Sequence, residues 1–335
     1  MAQTMDTNRT TATMKAIVQR TYGSADTLRL EDITRPAMKD TEVLIRVHAA
    51  AINHADWVYT TGRPLVSRLA FGLREPKSAV RGKDVAGVVE AVGHNVTQLR
   101  PGDEVYGELE DGSFAEYAVG PADLFALKPA NLSFGQAATV PVSGNTALQG
   151  LRDAGKLQPG QKVLINGASG GVGTFAIQIA KVLGAEVTGV CSAENAEQAR
   201  SLGADHVIDY AGEDFTKSGL RYDLIFDLVG NHPLTALRHS LTPKGTLVLS
   251  SGTGGRVLGP MVRILRALVM SLFVSHTLRT GLLNGNKENL DLLRALIEAG
   301  SITPAIDRTY QLSETSAALR YFAEEHARAK IAITV

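Results

Sequence analysis

The chain has a single cysteine, Cys191, among its 335 residues. No disulfide can form within it, and no thiolate-rich zinc site can be assembled from it. Neither charge is in excess, with 34 Lys and Arg against 34 Asp and Glu. Nucleic acid is therefore not expected as the main partner, because neutralising phosphates needs a basic surplus. A long uncharged apolar run is also missing. The most apolar segment, VLGPMVRILRALVMSLFV (257–274), is broken by Pro260, Arg263 and Arg266, and a membrane span needs about 18 apolar residues in sequence. The N-terminal MAQTMDTNRTTAT has no apolar stretch of the signal-peptide kind. Residues 1–12 are expected to form a disordered tail, and the protein is expected to be cytoplasmic. No internal repeat or low-complexity stretch is present.

What the chain does contain falls into two patterns. Its composition, 44% apolar and 20% charged, is that of a globular protein, and its length fits two domains. From residue 14 to about 130, short alternating or β-branched stretches such as MKAIVQR, EVLIRVHAA, AGVVEAVG and SFAEYAVG are separated by turn signals. This part reads as an all-β module. From about residue 137 strand and helix patterns alternate: KVLIN (162–166), VGTFAIQIAKVLG (172–184), AEVTGV (185–190), AENAEQARSLG (193–203), then HVIDY, YDLIFDLVG and GTLVLSSG. Such alternation predicts a parallel sheet with crossover helices. NLDLLRALIEAG then reads as an amphipathic helix, and the C-terminus as a strand, a capped helix and a last strand that rejoins the β module.

The loop NGASGGVG (166–173) joins the first of these parallel strands to its helix. Glycines at such a turn let backbone N–H groups approach a pyrophosphate, and the helix N-terminus favours its charge. The usual G-x-G-x-x-G positions hold Ala168, Gly170 and Gly173. With the first glycine missing, the loop draws its meaning from its place between strand and helix. NAD-binding proteins place an acid at the end of the second strand, on the ribose 2′-OH. Here that strand runs into Cys191 and Ser192, which leave room for a 2′-phosphate and a donor to it. Glu194 would oppose a phosphate if it turned inward, and suits the helix dipole if it faces solvent. NADPH is favoured on this reading, with NADH possible. Cys191, following a buried strand, reads as a packed thiol.

Taken in order, GKDVAGVVEAVG (82–93), PGDEVYG (101–107), AATVPVSGNTAL (137–148), NGASGGVG and SLGADHVIDY (201–210) resemble the medium-chain dehydrogenase/reductase superfamily, and within it the zinc-independent quinone oxidoreductases related to zeta-crystallin. The resemblance runs from Met14 to Val335. It implies an α/β protein: a GroES-like β domain (13–136, completed by 279–335) beside a Rossmann domain with a doubly wound parallel sheet (137–278). Zinc-using members hold their metal with an early Cys, the His of a G-H-E motif and a later Cys or Asp. The matching positions here are Asn53, Lys83 and the apolar VPVSG stretch. An ammonium has no lone pair for a metal and an amide is a poor zinc ligand, so no metal site is expected.

The resemblance also assigns residues. Asn53 lies beside the nicotinamide, Asp56 matches a recurrent aspartate, and Tyr59 is a candidate proton donor. Many relatives place that tyrosine one residue earlier, where Val58 stands. Asn145 and Thr146 border the nicotinamide, as do Ser250 and Gly252. Ser169, Gly170, Gly171 and Val172 hold the pyrophosphate. Ser192 and Tyr210 face the adenosine phosphate, and Lys330 matches a basic residue near the cofactor. NADPH-using relatives carry Lys or Arg where this chain has Glu194. Residues 256–275 match a helix and edge strand at the substrate mouth and dimer contact, so a homodimer is expected. Hydride addition to a carbonyl conjugated with C=C leaves an enolate that needs only hydrogen-bond donors. A quinone or enone is thus the expected substrate. The rival readings are an alcohol dehydrogenase and a low-turnover nucleotide-binding protein.

Overall fold

In the computed structural model, residues 12–250, 255, 257–280, 285–325 and 327–335 are described. A six-stranded sheet runs in the order His206–Asp209, Glu186–Cys191, Lys162–Asn166, Tyr222–Asp227, Leu241–Leu249 and Thr277–Thr280, with every neighbouring pair parallel. The chain starts in the middle, at Lys162–Asn166, steps outward to one edge and then returns to the other side. The strand order reverses between Lys162–Asn166 and Tyr222–Asp227, and a crevice opens at the carboxyl ends of strands at such a reversal.

Helix Gly171–Val182 crosses from the first strand to the second. Its residues Gly173 to Ala180 are all buried, since it lies between the sheet and helix Pro141–Leu148. That double cover explains why the segment is apolar all round rather than along one stripe.

The second sheet has seven strands. Ile306–Gln311, Lys330–Thr334, Glu42–Ile52, Asp84–Val92, Glu104–Glu108 and Phe125–Leu127 follow one another, and Tyr117–Pro121 pairs with Glu42–Ile52. The last strand of the chain does rejoin the β module, antiparallel, with Ile331 opposite Ile52. Burial along Glu42–Ile52 alternates as far as Val47 and is continuous from Ala49 onward. There the strand enters a cluster that also holds Ala86, Tyr106, Val163, Phe175 and Phe226, so one core joins the two sheets.

Three sequence expectations need correcting. Helices His54–Thr61 and Arg68–Phe71 interrupt the region read as all-β. The first starts where the Asn53 N–H donates to Asp56 Oδ2 at 2.7 Å, and ends at Gly62 in the left-handed conformation, φ 58°. Within the stretch matched to a helix and edge strand, MSLFVSH (270–276), expected at the sheet edge for its apolar character, is the end of helix Met261–Ser271 and a turn. The edge strand is Thr277–Thr280, which leaves GTLVL (245–249) in an internal strand. The boundary drawn between residues 278 and 279 therefore falls inside a strand. The tail expected at 1–12 lies outside the described residues but for Ala12.

Candidate active site

Asn166, Cys191, Asp209, Asp227 and Leu249 end five parallel strands on the same side of the sheet. Ser169 and Gly170 lie in the turn beyond the first, Gly171 and Val172 open the helix that follows, and Gly170 caps it without a side chain. A Cβ at Gly173 would stand 2.1 Å from Gly167 O, so this glycine serves close packing of helix on strand. A Cβ at Gly170 would meet nothing nearer than 3.6 Å, so its outer side is open. A Cβ at Gly171 would stand 2.8 Å from Lys330 Cδ. An uncapped helix start with open backbone N–H groups fits a pyrophosphate.

Ser192 and Tyr210 come together beyond the next two strands. Tyr210 N donates to Cys191 O at 3.2 Å, and the Tyr210 side chain is exposed. Ser192 Oγ accepts from Asn195 Nδ2 at 2.9 Å, which leaves its own hydroxyl proton free to donate outward. Glu194 lies in the first turn after Ser192, faces solvent and pairs with Arg328 at 2.6 Å. Arg328 is a cation beside Glu194 that the sequence reading did not single out. Ser250 follows the fifth strand, its N–H donating to Asp227 O at 3.1 Å. Gly252 lies outside the described residues.

Lys330 sits elsewhere than a surface cation would. Its side chain is 2% exposed, and Nζ donates to Asn53 Oδ1 at 2.5 Å and to Asp84 Oδ2 at 3.0 Å. Asn53 Nδ2 also donates to Asp84 Oδ2, at 3.0 Å, and Asp84 Oδ1 accepts from Val142 N at 2.8 Å. Asp84 is fully buried and holds three groups from three separate segments. The Asn53 amide, well suited to cap the helix it precedes, is spent on this network instead. Ala329, at φ 62°, donates its N–H to Ser169 O at 2.7 Å. The last strand therefore ties the glycine loop to Asn53, with Arg328 and Lys330 on either side of the tie.

Next to Val142, both side-chain polar atoms of Asn145 are buried and have no hydrogen-bond partner among the described residues. An unpaired buried amide is costly, and the carboxamide of a nicotinamide has the donor and acceptor that would satisfy it. Thr146 is buried too, but its hydroxyl donates to Val142 O at 2.6 Å.

The AINHADW stretch divides its residues. Asn53 joins the network, His54 is exposed and Trp57 packs into a core cluster with Ile52 and Leu319. Asp56 is fully buried. One carboxylate oxygen accepts from Asn53 N and the other has no partner among the described residues. Burial pushes its pKa up to about 7, against the lowering effect of the Asn53 bond. Tyr59 lies against Phe71, ring centroids 3.9 Å apart and planes tilted by 51°. Burial raises its pKa, only partly opposed by Lys83, so at neutral pH it carries its proton. Lys83 Nζ lies 5.8 Å from the Tyr59 ring and 3.6 Å from Glu108 Oε1. Among the described residues no three His, Cys, Asp or Glu side chains are grouped to hold a metal ion. Cys191 is a buried free thiol whose pKa burial raises.

Sequence reasoning passed over Asp84 and Arg328. Asp84 stood inside the quoted GKDVAG motif, where a carboxylate entering an apolar strand was the available signal. Arg328 stood two residues before Lys330.

Comparison with known proteins agrees with this fold. Residues 39–130 match the alcohol dehydrogenase GroES-like domain and residues 202–333 the zinc-binding dehydrogenase family. The chain is 36% identical to the 2-methylene-furan-3-one reductase of Solanum lycopersicum, over 88% of this chain and 71% of that one. It is 34% identical to the NADPH-dependent alkenal/one oxidoreductase, chloroplastic, of Arabidopsis thaliana, over 96% and 79%. The solved quinone oxidoreductase of Coxiella burnetii superposes with a TM-score of 0.84 at 31% identity, over 97% of this chain and all of that one. The chain belongs to the medium-chain dehydrogenase/reductase superfamily, in its quinone oxidoreductase branch.

Proposed function

We propose that the protein is a zinc-independent, NAD(P)H-dependent reductase of quinones or α,β-unsaturated carbonyls. The observation that carries this reading is the buried Asn53–Asp84–Lys330 network, tied through Ala329 to the glycine loop and through Val142 to the helix that carries the unpartnered amide of Asn145. The relatives named above as alkenal/one and quinone oxidoreductases support it. A bound nicotinamide cofactor supplies the hydride. The chain's own groups do the rest. Asn145 takes the carboxamide, and Ser169 to Val172 take the pyrophosphate. Asn53, held by Asp84 and Lys330, orients what lies in the cleft, with Thr146 and Ser250 at its border. Tyr59, protonated and beside Lys83, donates toward the enolate oxygen left on the substrate. Asp56 fixes the start of the helix that carries Tyr59.

NADPH is the preferred cofactor in this proposal, since Arg328, Ser192 and Tyr210 converge where its 2′-phosphate would lie. The chain is proposed to form a homodimer through strand Thr277–Thr280, whose outer edge is unpaired among the described residues. A reducing compartment such as the cytoplasm suits its single buried thiol. Steady-state oxidation of NADPH with a quinone, an enone and a simple ketone tests the reading. Turnover of the first two, unchanged after dialysis against EDTA, is expected. Turnover of the ketone alone, or activity restored by zinc, would overturn it.

A further inference from the structure

Tyr59 has a need that its nearest neighbours do not meet. Reduction of an enone takes up a proton along with each hydride, and a phenol that gives its proton to the enolate must be given another. Phe71 lies against the ring, and a substrate oxygen at the hydroxyl shuts out water from the other side. Asp56, on the same helix, is 1% exposed and has no contact with solvent through which to recharge. Asp111 is held by the buried Arg81 at 2.7 Å.

Lys83 and Glu108 are placed to meet that need. Glu108 stands opposite Asp84 in the pairing of their strands, and residues directly opposite share a face. It therefore lies on the side of the sheet where Asp84 holds Asn53 and Lys330. Lys83 Nζ stands 3.6 Å from Glu108 Oε1, 3.4 Å from the Glu110 carbonyl oxygen and 5.8 Å from the centre of the Tyr59 ring. The Lys83 and Glu108 side chains are 13% and 19% exposed, so both keep the contact with water that Asp56 lacks. Burial opposes the Lys83 charge, but Tyr59, Glu108, Asp56 and Asp84 together outweigh it and raise the pKa. Burial also raises the pKa of Glu108, against the lowering effects of Lys83 and Lys330. An ammonium thus faces the phenol, and beside it stands a carboxyl that takes up a proton more readily than an unperturbed glutamate.

We propose that Glu108 and Lys83 pass protons from solvent to Tyr59, a role that rests on the reductase reading given above. The Tyr59 O–H bond breaks as its proton forms the O–H bond of the enol, which leaves a phenolate beside the Lys83 ammonium. A Lys83 N–H bond then breaks to restore the phenol. The Glu108 carboxyl returns a proton to the amine, and water returns one to Glu108. Nothing is oxidised or reduced in these transfers, and their sum is a single proton taken from solvent. Lysine and tyrosine suit the exchange because their unperturbed pKa values, about 10.4 and about 10, lie close together.

Single-turnover and steady-state oxidation of NADPH with an enone test this in Glu108→Gln and in Lys83→Arg, which keeps the charge but has no proton to give. In both, the first turnover should run near the parental rate, because Tyr59 starts protonated, while kcat falls by about tenfold or more. The kcat of the parent should decline with pH as Glu108 gives up its proton, and Glu108→Gln should lack that decline. With no cofactor present, Lys83→Met should move tyrosinate formation at Tyr59 to higher pH, read as the ultraviolet difference from the matching Tyr59→Phe variant. A Glu108→Gln enzyme with the parental kcat at every pH would overturn the relay and leave the reductase reading standing. So would a first turnover slowed as much as kcat, since that marks a structural part alone. A parent that oxidises NADPH with neither an enone nor a quinone would overturn both.

Discussion

The two ends of the proposed cofactor site are built in opposite ways. At the nicotinamide end Asp84, Lys330 and Asn53 are 0%, 2% and 5% exposed, and each depends on the others. At the ribose end Glu194 and Arg328 form an ion pair whose side chains are 75% and 50% exposed. Buried charges interact strongly but cannot tolerate the loss of a partner. Exposed ones are screened, exchange partners easily and contribute little to stability. The inner end is therefore suited to fixing geometry, and the outer end to choosing between ligands that differ by one phosphate. Glu194 can release Arg328 to an incoming phosphate because water receives the carboxylate. Asp84 has no such outlet.

Asp84→Ala should have the largest effect. It leaves an uncompensated buried ammonium, and breaking a buried pair in this way costs about 3–5 kcal/mol. Urea unfolding should show that loss, while Glu194→Ala should stay within about 1 kcal/mol of the parent. Equal costs at the two sites would erase the distinction between them.

Asp56 extends the comparison to pH. Its folded carboxyl keeps a proton up to about pH 7, whereas an unfolded aspartate releases it near 3.8. Between those values the folded state binds more protons, so this group's contribution to stability falls as pH rises. Asp56→Asn cannot titrate. Its stability relative to the parent should rise with pH across that window, by up to about 1.4 kcal/mol per pH unit. Thermal melts at pH 5 and pH 8 check it, and a constant difference would mean that Asp56 is ionised throughout.

Gly171→Val probes the link between the ends. With Gly171 among the residues expected to hold the pyrophosphate, a side chain there would be expected to block it directly. In the structure its first collision is with the Lys330 stem at 2.8 Å. Overpacking of this kind costs about 1–3 kcal/mol, so NADPH should bind roughly tenfold to a hundredfold more weakly. Lys330→Ala in the same background should recover part of the affinity, as read by fluorescence titration. No recovery would return the effect to the phosphate contact itself.

The smallest effects belong to the outer end. Arg328→Ala should weaken NADPH by about tenfold, the low end for a charge-assisted contact, and leave NADH nearly unchanged. Glu194→Arg should tighten NADPH by a few-fold. Dissociation constants for both cofactors decide this. A parent that prefers NADH would make Glu194 the ribose acid and Arg328 its anchor.

Local pattern was enough for much of the fold. The apolar run 162–166, the glycines after it and the helical pattern beyond them describe contiguous events, and all three appear where the sequence puts them. Short helices were harder to see. His54–Thr61 has few apolar repeats, and its start depends on Asp56 reaching back to a backbone N–H. The sheet edge was misplaced because MSLFVSH is as apolar as a strand while continuing a helix.

From its sequence alone this protein is set as a two-pattern α/β chain with a dinucleotide loop, a lone thiol and no thiolate zinc cluster, because composition and periodicity are properties of neighbouring residues. Tertiary structure alone decided which of the two cations near the C-terminus serves which end. Lys330 and Asn53 are 277 positions apart, and Arg328 and Glu194 are 134 apart. A left-handed turn at Ala329, pinned to Ser169, sends Lys330 inward to a buried carboxylate and leaves Arg328 at the surface. Spacing along the chain carries no record of that turn, since it exists only when the last strand has been laid against the glycine loop.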